Sequence, residues 1–183
     1  NAMILLAQIL LGEGIGLFAA FSSLLNYKRY GLMMGYNDIN QWSLVDEQEH
    51  VINNIKVLLE GRKELTELEN MLLDEAIESF IAAYTAAEIE FVYLLHSESE
   101  QEDLTSADLV EYIHYLGDFR RYQLKMCSAS QVRKNPLMWM EWMLSASKHD
   151  NFFEKRVTAY SHSRLIGEVD YSKYADLLTP KFN

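Results

Sequence analysis

The chain has 183 residues, 49% of them hydrophobic and 12% aromatic, and a formal net charge of -11. This composition suits one folded domain with a full core and excludes a disordered segment. The acidic balance, with Lys and Arg scattered rather than clustered, excludes a nucleic-acid surface. The one cysteine, Cys127, has no intrachain disulfide partner, so the chain reads as intracellular, and cytoplasmic, with Cys127 a small buried residue.

Asn1-Ala2 before Met3 reads as a remnant of tag removal, with Met3 as the encoded start. Residues Met3 to Leu25 are apolar and long enough to span a bilayer, interrupted by Gln8, Glu13, Ser22, Ser23 and several glycines. An ionised Glu13 near the middle of a lone span is costly, no basic segment precedes it, and the run is too long for a secretory signal. The expectation is therefore one central helix, buried on every side, with no membrane.

A second helix is predicted over Tyr36 to Glu60, with Leu44, Val51, Ile55 and Leu58 at helical spacing, the segment Gly31 to Gly35 as the turn before it and Gly61 as its stop. A third runs from Arg62 to about His96. Its predicted buried face comprises Leu72, Leu73, Ala76, Ile77, Phe80, Ile81, Tyr84, Ala87, Phe91 and Leu95. The polar run Ser97 to Asp103 ends it. Thr105 or Ser106 caps a fourth helix through Leu109, Ile113, Leu116 and Leu124, and Asn135-Pro136 opens a short fifth near Trp139 and Trp142. No strand pattern competes, so the fold class is all-α. The domain is placed at 3–166, and 167–183 reads as a flexible tail.

Chemistry concentrates in the first two helices. Glu47 and His50 are three residues apart, so on a helix they project about 60° from one another and about 4.5 Å along the axis, close enough to chelate one ion. Glu13 lies in a helix with almost no other charge. A buried carboxylate costs several kcal/mol unless partnered, so it calls for a cation or for an arginine such as Arg29 or Arg121. One lone Glu and one Glu-x-x-His are half of the ligand set of four-helix di-iron and di-manganese proteins, and carboxylate plus imidazole suits iron or manganese. The segments around His96 and His114 are set aside as sources of a second motif.

Several motifs in order carry a resemblance. Glu13-Gly14-Ile15, then Arg29-Tyr30-Gly31-Leu32-Met33-x-Gly35, then Asp46-Glu47-x-x-His50, with Glu13 and Glu47 34 residues apart, precede Asn135-Pro136-Leu137 with Trp142 and a segment from Asn151 to Val157 followed by Tyr160. This series resembles the C-terminal half of the small (beta) subunit of class I ribonucleotide reductase, over nearly all of Met3 to Tyr160. The resemblance implies a ferritin-like helical bundle in which Glu13, Glu47 and His50 ligate one iron of a carboxylate-bridged pair, manganese being the alternative metal. It implies that Asp46 hydrogen-bonds a ligating imidazole on the radical's route, that Phe21 lines a dry pocket, and that Tyr160 relays the radical to the large catalytic subunit. The tail, near Leu177, Leu178 and Phe182, would dock on that subunit.

The family's first half, with the other acid ligand, the other Glu-x-x-His and in most members the radical tyrosine, has no counterpart in the sequence. Val45 stands where the family commonly has Arg, and Leu17 where an aromatic is common. The expectation is a half-subunit, incomplete alone, that needs an N-terminal half, either separately encoded or cut away, and the large subunit, in a homo- or hetero-oligomer. Two other readings remain: a non-catalytic helical interaction module, and a homodimer whose two copies complete a symmetric dimetal site.

Overall fold

The computed structural model describes residues 2–147, and these form six α-helices. α1 is Ala2–Ile15, α2 Phe18–Arg29, α3 Met34–Gly61, α4 Glu67–Leu95, α5 Ser106–Gln123 and α6 Met138–Ser147. Short 3-10 turns lie at Arg62–Glu64 and Ala129–Gln131. An isolated bridge, Gln101 to Leu104, is the nearest approach to a strand among the described residues. The fold is thus all-α, as the patterning predicts, and of the ferritin-like kind that the resemblance implies.

α1 is the centre of the assembly. Ala7, Leu10, Leu11, Gly14 and Ile15 are buried at spacings of three, four and seven, and α1 packs on α3, α4 and α5. Met3 lies against Gly61 while Glu13 lies beside His50, so α1 and α3 run antiparallel. α4 and α5 are also antiparallel, since Glu78 meets Arg121 while Ile81 and Thr85 meet Gly117. By length and composition the stretch Ala2–Arg29 is long and apolar enough to cross a bilayer. In the structure its large side chains Leu10, Leu11, Ile15, Phe18 and Leu25 are buried within the protein core instead.

That stretch is two helices, where the sequence predicts one. Leu17 adopts φ 71, the left-handed region, and separates α1 from α2. Such a conformation costs a non-glycine residue about 1–2 kcal/mol. It persists because Glu88 of α4 accepts hydrogen bonds from the Leu17 and Ala19 amides, both at 3.0 Å. Two of the donors that a new helix leaves without partners are thereby satisfied. Gly16 fits the bend because a Cβ there would lie 2.6 Å from the Gly12 carbonyl oxygen.

The third predicted helix starts later than the sequence suggests. Thr66 forms a capping box with Glu69, each side chain bonding the other's backbone N–H, and this cap sets the start of α4 at Glu67. Its buried stripe is Leu73, Ile77, Ile81 and Val92. Leu72, Ala87, Phe91 and Leu95, predicted to face the core, are exposed, because the helix offers more apolar residues than its neighbours cover. Thr105 rather than Ser106 caps α5, again in a box, with Asp108. Before α6, the Asn135 side chain accepts from the Leu137 amide and donates to Glu141. Trp139 packs on the core and Trp142 is exposed. Cys127 is half-buried rather than buried. The tail 167–183, the end of the domain at 166 and Tyr160 lie outside the described residues.

Candidate metal centre

The antiparallel pairing of α1 and α3 brings Glu13 onto the Glu47–His50 turn. Glu13, Glu47 and His50 each offer one ligand atom within 4.8 Å of the other two, and among the described residues theirs is the one group of three that does so. His50 Nδ1 lies 3.3 Å from Glu47 Oε2 and 3.9 Å from Glu13 Oε1. Both carboxylates therefore face the same ring nitrogen. The other, Nε2, lies 3.9 Å from Asp46 Oδ2, within ion-pair range and too long for a hydrogen bond.

Burial corrects one expectation. Glu13 is partly accessible, its side chain 30% exposed against 28% for Glu47 and 50% for His50. The trio therefore opens on one side of the helix pair. Its partner is neither arginine proposed from the sequence: Arg29 donates to Asn26 and lies over the Trp139 ring, and Arg121 is held by Glu78 and Asp118. Instead Asn54 Nδ2 donates to Glu13 Oε2 at 3.4 Å. Asp46 is the most exposed of the four, at 75%.

The carboxylates act on His50. Its pKa is raised above the ordinary 6.5, chiefly by the hydrogen bond with Glu47; partial desolvation opposes the shift, and the charges of Asp46, Glu13 and Glu47 add to it. A ring nitrogen between two carboxylates holds its proton more tightly, and a divalent cation can take that proton's place. Two oxygen donors and one imidazole nitrogen at this separation fit iron or manganese, with positions left open for further ligands. The fit to such an ion rests on the chemistry of these three donors.

Other predicted residues fall as follows. Phe21 is buried, edge-on to Phe18 at 6.0 Å between ring centroids. Val45 is partly buried against the core, and Leu17 sits exposed at the helix break. The Glu-x-x-His spacing recurs on α5 as Glu111-Tyr112-Ile113-His114, although the sequence reading set His114 aside. Glu111 is exposed, while half-buried His114 lines a cavity of about 390 Å³ with Asp118, Arg121 and Arg133, apart from Glu13. His96, also set aside, pairs through Nδ1 with Glu100 at 2.7 Å.

Sequence reasoning missed Glu88 and Arg120. Arg120 is buried, donates from Nε to the Gly14 carbonyl at 3.0 Å, and lies between the Phe18 and Phe119 rings. Desolvation lowers its pKa to about 10, against the favourable influence of Tyr112 and Tyr115. An arginine four residues from a buried Leu116 on the core stripe of α5 is the signal that could have found it.

The family of the ribonucleotide reductase small chain matches residues 2–136. A probable ribonucleoside-diphosphate reductase small subunit of Invertebrate iridescent virus 3 is 33% identical over 160 residues, 85% of this chain and 42% of that protein. Its counterpart in Invertebrate iridescent virus 6 is 30% identical, over 82% of this chain and 48% of that protein. The ribonucleoside-diphosphate reductase subunit beta of Chlamydia pneumoniae is 28% identical, over 85% and 44%. The chain thus spans less than half the length of these curated relatives.

Proposed function

Because the chain belongs to the ribonucleotide reductase small-chain family, we propose that it supplies one side of a dinuclear metal centre that generates the radical for reducing ribonucleotides to deoxyribonucleotides. The observation that carries this reading is the convergence of Glu13, Glu47 and His50. Iron is the proposed metal, with manganese as the alternative. When bound, it would supply the one-electron redox capacity that no side chain of this trio has.

The chain's own residues bind and orient. Glu13 and Glu47 provide negative oxygen donors from two helices. His50 presents Nδ1 as a lone pair once its proton leaves, and Asp46 beside Nε2 favours the tautomer that keeps the proton on that far nitrogen. Phe18 and Phe21 keep the core beside α1 apolar and dry. Tyr160 is proposed as the phenol that passes the oxidising equivalent to the large catalytic subunit, giving up its proton as it gives up an electron.

Three donors are half of the six that a carboxylate-bridged pair of metals takes from four helices. The other half is proposed to come from a polypeptide carrying the family's remaining acid and Glu-x-x-His. Elemental analysis of the chain co-purified with such a partner tests this. About two iron or manganese ions per complex are expected, and Glu47→Ala or His50→Ala should lower the content. Two ions per dimer of this chain alone would favour the symmetric homodimer. A metal-free complex would leave an interaction module.

A further inference from the structure

The last turn of α1, which carries Glu13, is gripped on both sides of the helix break by side chains of opposite charge. Toward α1, buried Arg120 holds the carbonyl of Gly14, the residue after Glu13, at 3.0 Å. Gly14 permits this approach, since a Cβ there would lie 2.7 Å from Arg120 Nε. Toward α2, the Glu88 carboxylate spans the amides of Leu17 and Ala19. Each sign matches the helix end it meets: a cation at the carbonyl end of α1, an anion at the amide end of α2. One turn before Glu88, Tyr84 abuts Gly12, where a Cβ would lie 3.1 Å from the phenol oxygen.

Glu13 has slight fastenings of its own, a 3.4 Å hydrogen bond from Asn54 and His50 at 3.9 Å. Its direction is therefore governed by the backbone of this turn. We propose that Glu88 and Arg120 are positioning residues for Glu13: from α4 and α5 they fix the height and rotation at which its carboxylate meets Glu47 and His50. The consequence for metal binding rests on the metal-centre reading above, whereas the geometry of the grip does not.

Glu88→Gln in the full chain separates the two. A glutamine has one acceptor oxygen and no charge, so one of the two amide bonds is lost. In the metal-free protein, exchange of the Leu17 and Ala19 amides should accelerate about tenfold, and the carboxyl carbon resonance of Glu13 should shift. Cobalt(II) affinity should fall about tenfold, the lower end of what outer contacts to metal ligands contribute. Glu78→Gln is the matched control. It weakens the Glu78–Arg121 pair, another charge contact between α4 and a neighbour, away from the break. It should lower thermal stability without moving the Glu13 resonance or cobalt affinity. An unmoved Glu13 resonance in Glu88→Gln, or equal losses of affinity in both variants, would overturn the proposal. If Glu88→Gln fails to fold, Glu88→Asp retains the charge one carbon farther back and should still displace the resonance. Wild-type chain that takes up no cobalt even with its complementing half would sink the metal reading, and the Glu13 resonance would still decide the grip.

Discussion

His50 carries the pH dependence of the proposed centre, and its sign follows from the raised pKa. The folded, metal-free chain binds the imidazole proton more tightly than the unfolded chain does, because Glu47 accepts it. That contribution to stability is fully present below 6.5, the ordinary imidazole value, and is lost as pH rises through the raised folded value. Metal binding has the opposite sign, since a cation needs Nδ1 free of its proton. Cobalt(II) titrations should show affinity rising with pH, releasing one proton per ion, until the pH passes the raised value above 6.5. Affinity that stayed flat across this window would remove His50 from the ligand set. At this scale the sequence was informative but not sufficient. Glu47–His50 and Glu111–His114 have the same spacing, and among the described residues only the first meets a third donor within 4.8 Å. The discriminating residue, Glu13, stands 34 positions before Glu47, and its apolar surroundings were the legible clue.

At the scale of elements, helix identity and the capped helix starts were written in the local pattern, and the break between α1 and α2 was not. The caps at Thr66 and Thr105 are local devices, a hydroxyl with an acid three residues on, and both are readable. The break at Gly16–Leu17 depends on Glu88, some seventy residues away, so a leucine in the left-handed region gives no local signal. Gly14→Ala tests how much that junction tolerates. Alanine is the better helix former by about 1 kcal/mol. Against this, its methyl would fall 2.7 Å from Arg120 Nε. Overpacking costs about 1–3 kcal/mol, and a strained hydrogen bond from a charged donor forfeits part of a further 1.5–3 kcal/mol or so. The steric side wins, and urea unfolding should show a net loss of about 1–3 kcal/mol. A variant more stable than wild type would mean that Arg120 moves aside freely.

For the molecule as a whole, the question is what lies over the open side of the trio. On α1, Leu5 and Ile9 lie two turns and one turn before Glu13 and are 57% and 45% exposed; on α3, Val57, two turns beyond His50, is 58% exposed. Because the helices are antiparallel, these three share the end of the α1–α3 pair toward Met3 and Gly61. On the proposed reading, the apolar side chains gathered beside the half-open ligand set are the face on which another pair of helices would dock, and burying a side chain of this size contributes about 1.5–3 kcal/mol. Sedimentation of the chain alone at micromolar concentration should therefore show self-association. Leu5→Lys with Val57→Lys should shift it toward monomer while far-ultraviolet circular dichroism stays helical, since both positions face away from the core. Adding the complementing half should dissolve the wild-type self-association in favour of a one-to-one complex, because both compete for one face. A stable wild-type monomer that binds neither copy nor complement would mean that the fold closes on itself, and that the three donors are a surface cluster rather than one wall of a metal centre.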